Sequence, residues 1–201
     1  VTDVNRDGWP DLYVCVAGPY PAKRANYLFV NQGVGTTGLR FRELAAHYGL
    51  ADTGYSMQAA FFDYDHDGDD DCYVLTNAID TQNRNATRPK RMQGEAESTD
   101  RLYRNRTVER ARPGGAEDSL FVDVSREAGI TIEGYGLGLG VSDLNGDGWL
   151  DVYCANDFLS NDLVWINNGR LPGQPGGFTN RAAELLRHQS HNGMGVDIAD
   201  G

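Results

Sequence analysis

A nine-residue string, Asp-x-(Asn/Asp)-x-Asp-Gly-x-x-Asp, recurs through this chain and limits its possible folds more than any other feature. It is complete at Asp3–Asp11, Asp63–Asp71 and Asp143–Asp151, and a cut-off copy opens at Asp200. The first aspartates of successive copies are 60, 80 and 57 residues apart. Phe41, Phe121 and Phe178 each stand 22 residues before the next copy. Other columns fall into register: Leu28-Phe29-Val30-Asn31 with Leu102-Tyr103-Arg104-Asn105 and Val164-Trp165-Ile166-Asn167. Gly54-Tyr55-Ser56-Met57 likewise matches Gly134-Tyr135-Gly136-Leu137 and His191-Asn192-Gly193-Met194. The 20 extra residues of the long repeat fall in two places, 14 between Asp71 and Asn105 and six between Asn105 and Phe121. Constant elements with variable connections describe a repeated scaffold.

Within each unit the periodicity is that of strands. Leu12–Val16, Cys72–Leu75 and Val152–Ala155 are β-branched or aromatic runs that directly follow a loop. Phe61-Phe62 and Val141-Ser142 lead into one. With the Leu-Phe-Val-Asn and Phe-x-(Glu/Asp)-(Leu/Val) columns this makes four short strands per unit, with helical turns expected only at Arg126–Gly129 and Ala182–Arg187. Repeated four-stranded antiparallel units are β-propeller blades. A row of independent sandwiches is the alternative, but a unit of about 60 residues is too small to bury two sheets. Small residues just ahead of the loops (Ala59, Ala60, Gly136, Gly138, Gly140, Gly193, Gly195) suit innermost strands that converge on an axis. The fold class expected is therefore all-β, with residues 1–201 forming about three blades of one propeller. Since a ring takes four to eight blades, the remaining blades are expected from the rest of a longer chain.

The loops themselves specify a chemistry. Positions 1, 3, 5 and 9 bear side-chain oxygens, and position 7 offers its carbonyl. Oxygen ligands at this density suit calcium, which takes six to eight at ~2.3–2.6 Å. Gly8, Gly68 and Gly148 permit the turn that lets the side chains converge. Nitrogen and sulfur ligands are absent, which disfavours zinc and copper. An EF-hand would require a Glu at position 12, where Val14, Val74 and Cys154 stand, and flanking helices where strands are expected. An acidic surface turn is a fair reading of one copy and a poor one of three. The second loop, with four carboxylates against three in each of the others, is expected to bind most tightly.

Ten of the 29 acidic residues occupy ligand-type positions of these loops, so the net charge of −11 largely reflects them. Three divalent ions would reduce it to about −5. Such a surface excludes a nucleic-acid backbone as partner. No apolar run approaches the ~18 residues of a membrane span. Cys15, Cys72 and Cys154 lack zinc-site spacing and are expected as buried free thiols. Nothing points to catalysis. His47, His66, His188 and His191 form no repeating set, and His66 is expected to point from its loop to solvent. Ser142, Ser160 and Ser190 lack a nucleophile elbow, and Trp9 and Trp149 are expected to pack. A long insertion between strands two and three, Thr76–Asp100, carries Arg84, Arg88, Lys90 and Arg91. Strand alternation puts it on the face opposite the loops, where it is either a solvated mobile loop or a rim for a protein or acidic polysaccharide. Asn85-Ala86-Thr87 and Asn105-Arg106-Thr107 match glycosylation sequons.

These residues resemble the FG-GAP or VCBS repeats of integrin-α-like propellers, and most nearly those of cartilage-acidic-protein and ASPIC/UnbV-type proteins. The likeness rests on Asp-x-(Asn/Asp)-x-Asp-Gly-x-x-Asp, the tyrosine-bearing strand after it, the Gly-Leu-Gly and Gly-Met-Gly runs before it, and Ala155-Asn156-Asp157-Phe158. It implies a ring of usually seven blades with calcium between the first two strands of each, in a secreted, cell-surface or periplasmic protein. Carried over, the ligands are Asp3, Asn5, Asp7, Trp9 (carbonyl) and Asp11; Asp63, Asp65, Asp67, Asp69 (carbonyl) and Asp71; and Asp143, Asn145, Asp147, Trp149 (carbonyl) and Asp151. Asp200 would open a fourth site. The function implied is a non-enzymatic calcium-binding scaffold for adhesion or interaction. The alternative is part of a propeller enzyme, such as a polysaccharide lyase, or a carbohydrate-binding propeller.

Overall fold

The computed structural model describes residues 1–36, 38–78, 88–110, 120–157, 160–169, 177–189 and 193–199. Arg84, Asn85, Phe158, Ser190, His191, Asn192 and Asp200 lie outside them. Eleven strands and three one-turn helices are described. Strands β1 (Leu12–Val14), β2 (Tyr27–Gly35) and β3 (Gly38–Glu43) form the first sheet, with α1 at Ala45–Tyr48. The second holds β4 (Ser56–Phe62), β5 (Asp71–Thr76), β6 (Arg101–Asn105) and β7 (Phe121–Asp123), with α2 at Thr107–Arg110. The third holds β8 (Gly136–Ser142), β9 (Asp151–Asn156), β10 (Leu163–Asn167) and β11 (Phe178–Asn180), followed by α3 at Ala182–Leu185. Every neighbouring pair is antiparallel and consecutive in sequence. These are propeller blades, as expected; the first sheet begins at its second strand.

Alternation along the strands explains why the sheets stack face to face. Cys72 and Val74 of β5 join Val4, Leu28, Val30, Leu50, Tyr103 and Phe121 in a core between the first and second sheets. Tyr73 and Leu75 of the same strand point the other way, to Leu139, Val152, Leu163 and Trp165, between the second and third. Every residue of β5 is buried, because a blade is covered on both faces. Close approach depends on missing side chains: a Cβ on Gly136 would stand 2.3 Å from Leu75, and one on Gly138 would stand 2.7 Å from the backbone of Gly195.

The helical turns are only partly those expected. Residues 125–129 make a turn closed by Ala128 N–H to Val124 O at 2.8 Å, and α3 stops at Leu185, short of Arg187. Helices α1 and α2 were not signalled. Cys72 and Cys154 are buried free thiols, whereas Cys15 is half-buried and lies just past β1.

The described part of the insertion is largely exposed over residues 88–95, but it is tied down at particular side chains. Arg88 grips the buried Glu133 with both Nη atoms, at 2.6 and 2.9 Å. The Arg91 N–H donates to the same carboxylate at 2.7 Å, and Arg126 reaches the Gln93 carbonyl at 2.8 Å. Burial lowers the pKa of Lys90, opposed by the Glu133 and Asp100 charges. The described part of the insertion is thus docked on the β7–β8 connection, which leads from its own blade to the next. The Asn105 sequon is also excluded from use in the folded protein: its side chain is 1% exposed and its amide is bonded to Asp70 O at 3.0 Å.

Candidate metal loops

All three loops fold alike, and their own backbone N–H groups preorganise the carboxylates. The first aspartate takes the N–H of position 5 on one oxygen and that of position 6 on the other: 3.0 and 2.8 Å at Asp3, 3.1 and 3.0 Å at Asp63, 3.2 and 2.8 Å at Asp143. The position-5 aspartates each accept the N–H of position 7, from Trp9, Asp69 and Trp149. Position 6 is left-handed in every copy, at φ 88°, 97° and 91° for Gly8, Gly68 and Gly148. Position 4 is left-handed too, at Arg6 (58°), His66 (55°) and Gly146 (76°). That second requirement is not legible from residue type, because two of its three occupants bear side chains.

Position 9 ties each loop to its sheet. Asp11, Asp71 and Asp151 are wholly buried. One oxygen of each accepts the N–H of loop position 2 (Val4, Tyr64, Leu144), at 2.9 to 3.0 Å. The other accepts the N–H of the strand-three asparagine (Asn31, Asn105, Asn167) at 2.8 Å. Burial raises the pKa of all three carboxyls, and pushes Asp71 up to about 9. The repeating asparagine column, visible in the sequence, thus exists to hold the ninth-position carboxylate.

The second loop differs in one respect that bears on a cation. In the first and third loops position 3 is asparagine, and its amide donates to the position-5 carboxylate: Asn5 to Asp7 at 3.0 Å, Asn145 to Asp147 at 2.8 Å. In the second loop position 3 is Asp65, which has no such donor to offer. Asp67 Oδ2 is left buried without a hydrogen bond, as is Asp69 Oδ1. Oxygens of Asp63, Asp65 and Asp71 come within 4.8 Å of one another, and no other such trio of acidic, His or Cys side chains occurs among the described residues. A divalent, oxygen-seeking cation fits this set, since it would satisfy oxygens that have no donor and offset the repulsion between the carboxylates.

Asp69 was expected to offer only its carbonyl. Its side chain is buried as well, accepting the Val108 N–H at 2.8 Å, and burial pushes its pKa up to about 6. His66, exposed as expected, does not merely face solvent: its ring stacks on Trp149 of the third loop at 4.0 Å, with 10° between planes. The Trp149 indole in turn covers Gly169, where a Cβ would stand 2.9 Å from it, and Trp9 covers Gly33 in the same way. Both tryptophans pack, as expected. Arg6, at the position equivalent to His66, donates to Gly68 O of the second loop at 2.6 Å.

No helix among the described residues is long and apolar enough to cross a membrane. A search of curated proteins finds no match to the chain. A family model described as an FG-GAP-like repeat matches residues 3–74 and 143–200, two segments that take in all three loops. Stacked four-stranded blades, repeating acidic loops and this match over more than half of the sequence agree, and the chain belongs to the FG-GAP-like repeat family.

Proposed function

We propose that this segment is a calcium-stabilised, non-enzymatic interaction scaffold in a secreted or surface-exposed protein, nearest to the cartilage-acidic-protein and ASPIC/UnbV-type branch. The observation that carries the calcium reading is the second loop, where exchange of asparagine for Asp65 leaves Asp67 Oδ2 buried with no donor. Asp63, Asp65, Asp67 and Asp71, with the Asp69 carbonyl, would hold the ion there. The equivalent sets at Asp3–Asp11 and Asp143–Asp151 would hold two more. A bound ion would supply charge neutralisation and pin the β4–β5 corner; nothing in this reading requires it to react or to sense. FG-GAP-like repeats build propeller-type interaction domains, which supports the scaffold role. Partners are assigned to the face opposite the loops, where the connection between the second and third strands of each blade (β1–β2, β5–β6 and β9–β10) varies in length.

Calcium titration with Asp7→Ala, Asp67→Ala and Asp147→Ala variants tests this. The tightest site should vanish with Asp67→Ala; equal losses at all three loops refute the ranking. Saturating calcium at 100 times its Kd adds about 2.7 kcal/mol to stability per site. Excess chelator should therefore lower the Tm by roughly 5 °C or more for a chain of this size. An unchanged melting curve refutes the structural role.

A further inference from the structure

Between the first and second sheets, on the face away from the metal loops, lies a cleft of about 220 Å³ whose lining includes Arg24, Asp52, Tyr55, Glu97, Thr99 and Arg101. Arg24 stands just after the 3₁₀ turn Pro21–Lys23, and its guanidinium lies over the Tyr55 ring at 3.9 Å. Only 7% of the residue is exposed, yet its Nε and Nη1 are buried without any hydrogen-bond partner. The hydroxyl of Thr99, 1% exposed, is also unpartnered. A guanidinium cannot shed its charge, and stacking on tyrosine replaces only part of the hydration lost on burial.

The neighbouring carboxylates do not meet this need. Asp52 is committed elsewhere: Oδ2 accepts the Tyr103 hydroxyl, while Oδ1 accepts the Gly54 N–H at 2.6 Å and the Ser56 hydroxyl at 3.3 Å. Glu97 is exposed at the rim. Arg101 is engaged with the Thr99 carbonyl at 3.3 Å and lies 3.9 Å from Asp123. We infer that this cleft is a binding site for a carboxylate group, with Arg24 supplying the charge and Thr99 a hydroxyl donor. At about 220 Å³ the cleft falls below the roughly 300–1,000 Å³ of a drug-sized pocket and admits one acidic side chain or one sugar acid. A singly charged anion is favoured over a doubly charged one because Asp52 and Glu97 face the same space. The site deepens the scaffold reading by naming the chemistry of one contact. Calcium is titrated separately, so the metal loops and the cleft stand or fall apart.

The test is calorimetric titration of the full chain, in carboxylate-free buffer, with N-acetyl-L-glutamic acid α-methylamide, whose only charge is the side-chain carboxylate, D-glucuronate and inorganic phosphate. At least one of the two acids should bind with a Kd below ~1 mM, and which of them does so separates a polypeptide source from a polysaccharide one. Arg24→Met should weaken that binding at least ~30-fold, and Thr99→Val roughly tenfold. Neither should lower the Tm, since each removes a buried group that has no partner to orphan. Failure of both acids to bind overturns the inference, as does tighter binding of phosphate or undiminished binding by the folded Thr99→Val protein.

Discussion

Asp100 sits wholly inside the molecule between the second and third sheets. Its Oδ2 accepts the Tyr73 hydroxyl at 2.7 Å and its Oδ1 the Thr76 N–H at 2.8 Å. The same staple joins the second and third strands of every blade. Asp162 takes the Tyr153 hydroxyl at 2.7 Å and the Asn156 N–H at 2.8 Å, and Asn26 binds Tyr13 and the Val16 N–H at 2.8 and 2.7 Å. The tyrosines stood in register in the sequence, but their partners, on a connection of variable length, did not align with them at any fixed distance. Burial pushes the Asp100 pKa up to about 6 from 3.8. The folded state therefore holds this proton more tightly than the unfolded chain, and the stability contributed is complete below pH 4 and lost as pH rises through 6. Asp100→Asn should fold, because asparagine already serves at position 26, and should gain on the order of 2 kcal/mol over the native chain between pH 4 and pH 7. Urea unfolding of both proteins across that range checks it; parallel profiles would contradict the assignment.

The strands owe their existence to alternation and their spacing to glycine. β5 was legible because a blade buried on both faces needs an unbroken apolar run between two turn-forming loops. The one-turn helices α1 and α2 were not legible, because four residues carry no helical period and neither α1 nor α3 has a side-chain cap. Where β8 crosses β5, Gly136 faces the wholly buried Leu75 and leaves it no room to yield. Gly136→Ala should cost about 1–3 kcal/mol by overpacking. Adding Leu75→Ala should recover part of that loss, giving a favourable coupling energy in a double-mutant cycle. Additive losses would mean that the blades are not in contact there.

The blades are locked together at the scale of the whole molecule by residues whose role no single repeat discloses. Asn167 of the third sheet donates to Tyr64 O of the second loop at 2.9 Å, and Asn105 of the second sheet reaches Val4 O of the first at 3.4 Å. Asn105 and Asn167 thus each brace their own ninth-position carboxylate and the loop of the blade before. Asn167→Ala would remove the hydrogen bond to the buried Tyr64 carbonyl, at a cost of about 0.5–1.5 kcal/mol. It should also weaken calcium binding at the second loop, although the substitution lies in the third sheet. A stability loss with unchanged calcium affinity at Asp67 would limit the asparagine to a packing role.

The repeat register, the four-strand blade and the loop oxygens were determined by the sequence alone, because each rests on spacing along the chain, and spacing survives without coordinates. The tertiary structure decided what depends on partners distant in sequence. Glu133 neutralises Arg88 and docks the insertion, Trp149 receives His66, Asn105 is buried and closed to modification, and Arg24 is left without a counter-charge. Whether a charge is free is a property of what folds beside it, and the partners of Arg88 and His66 lie 45 and 83 residues away.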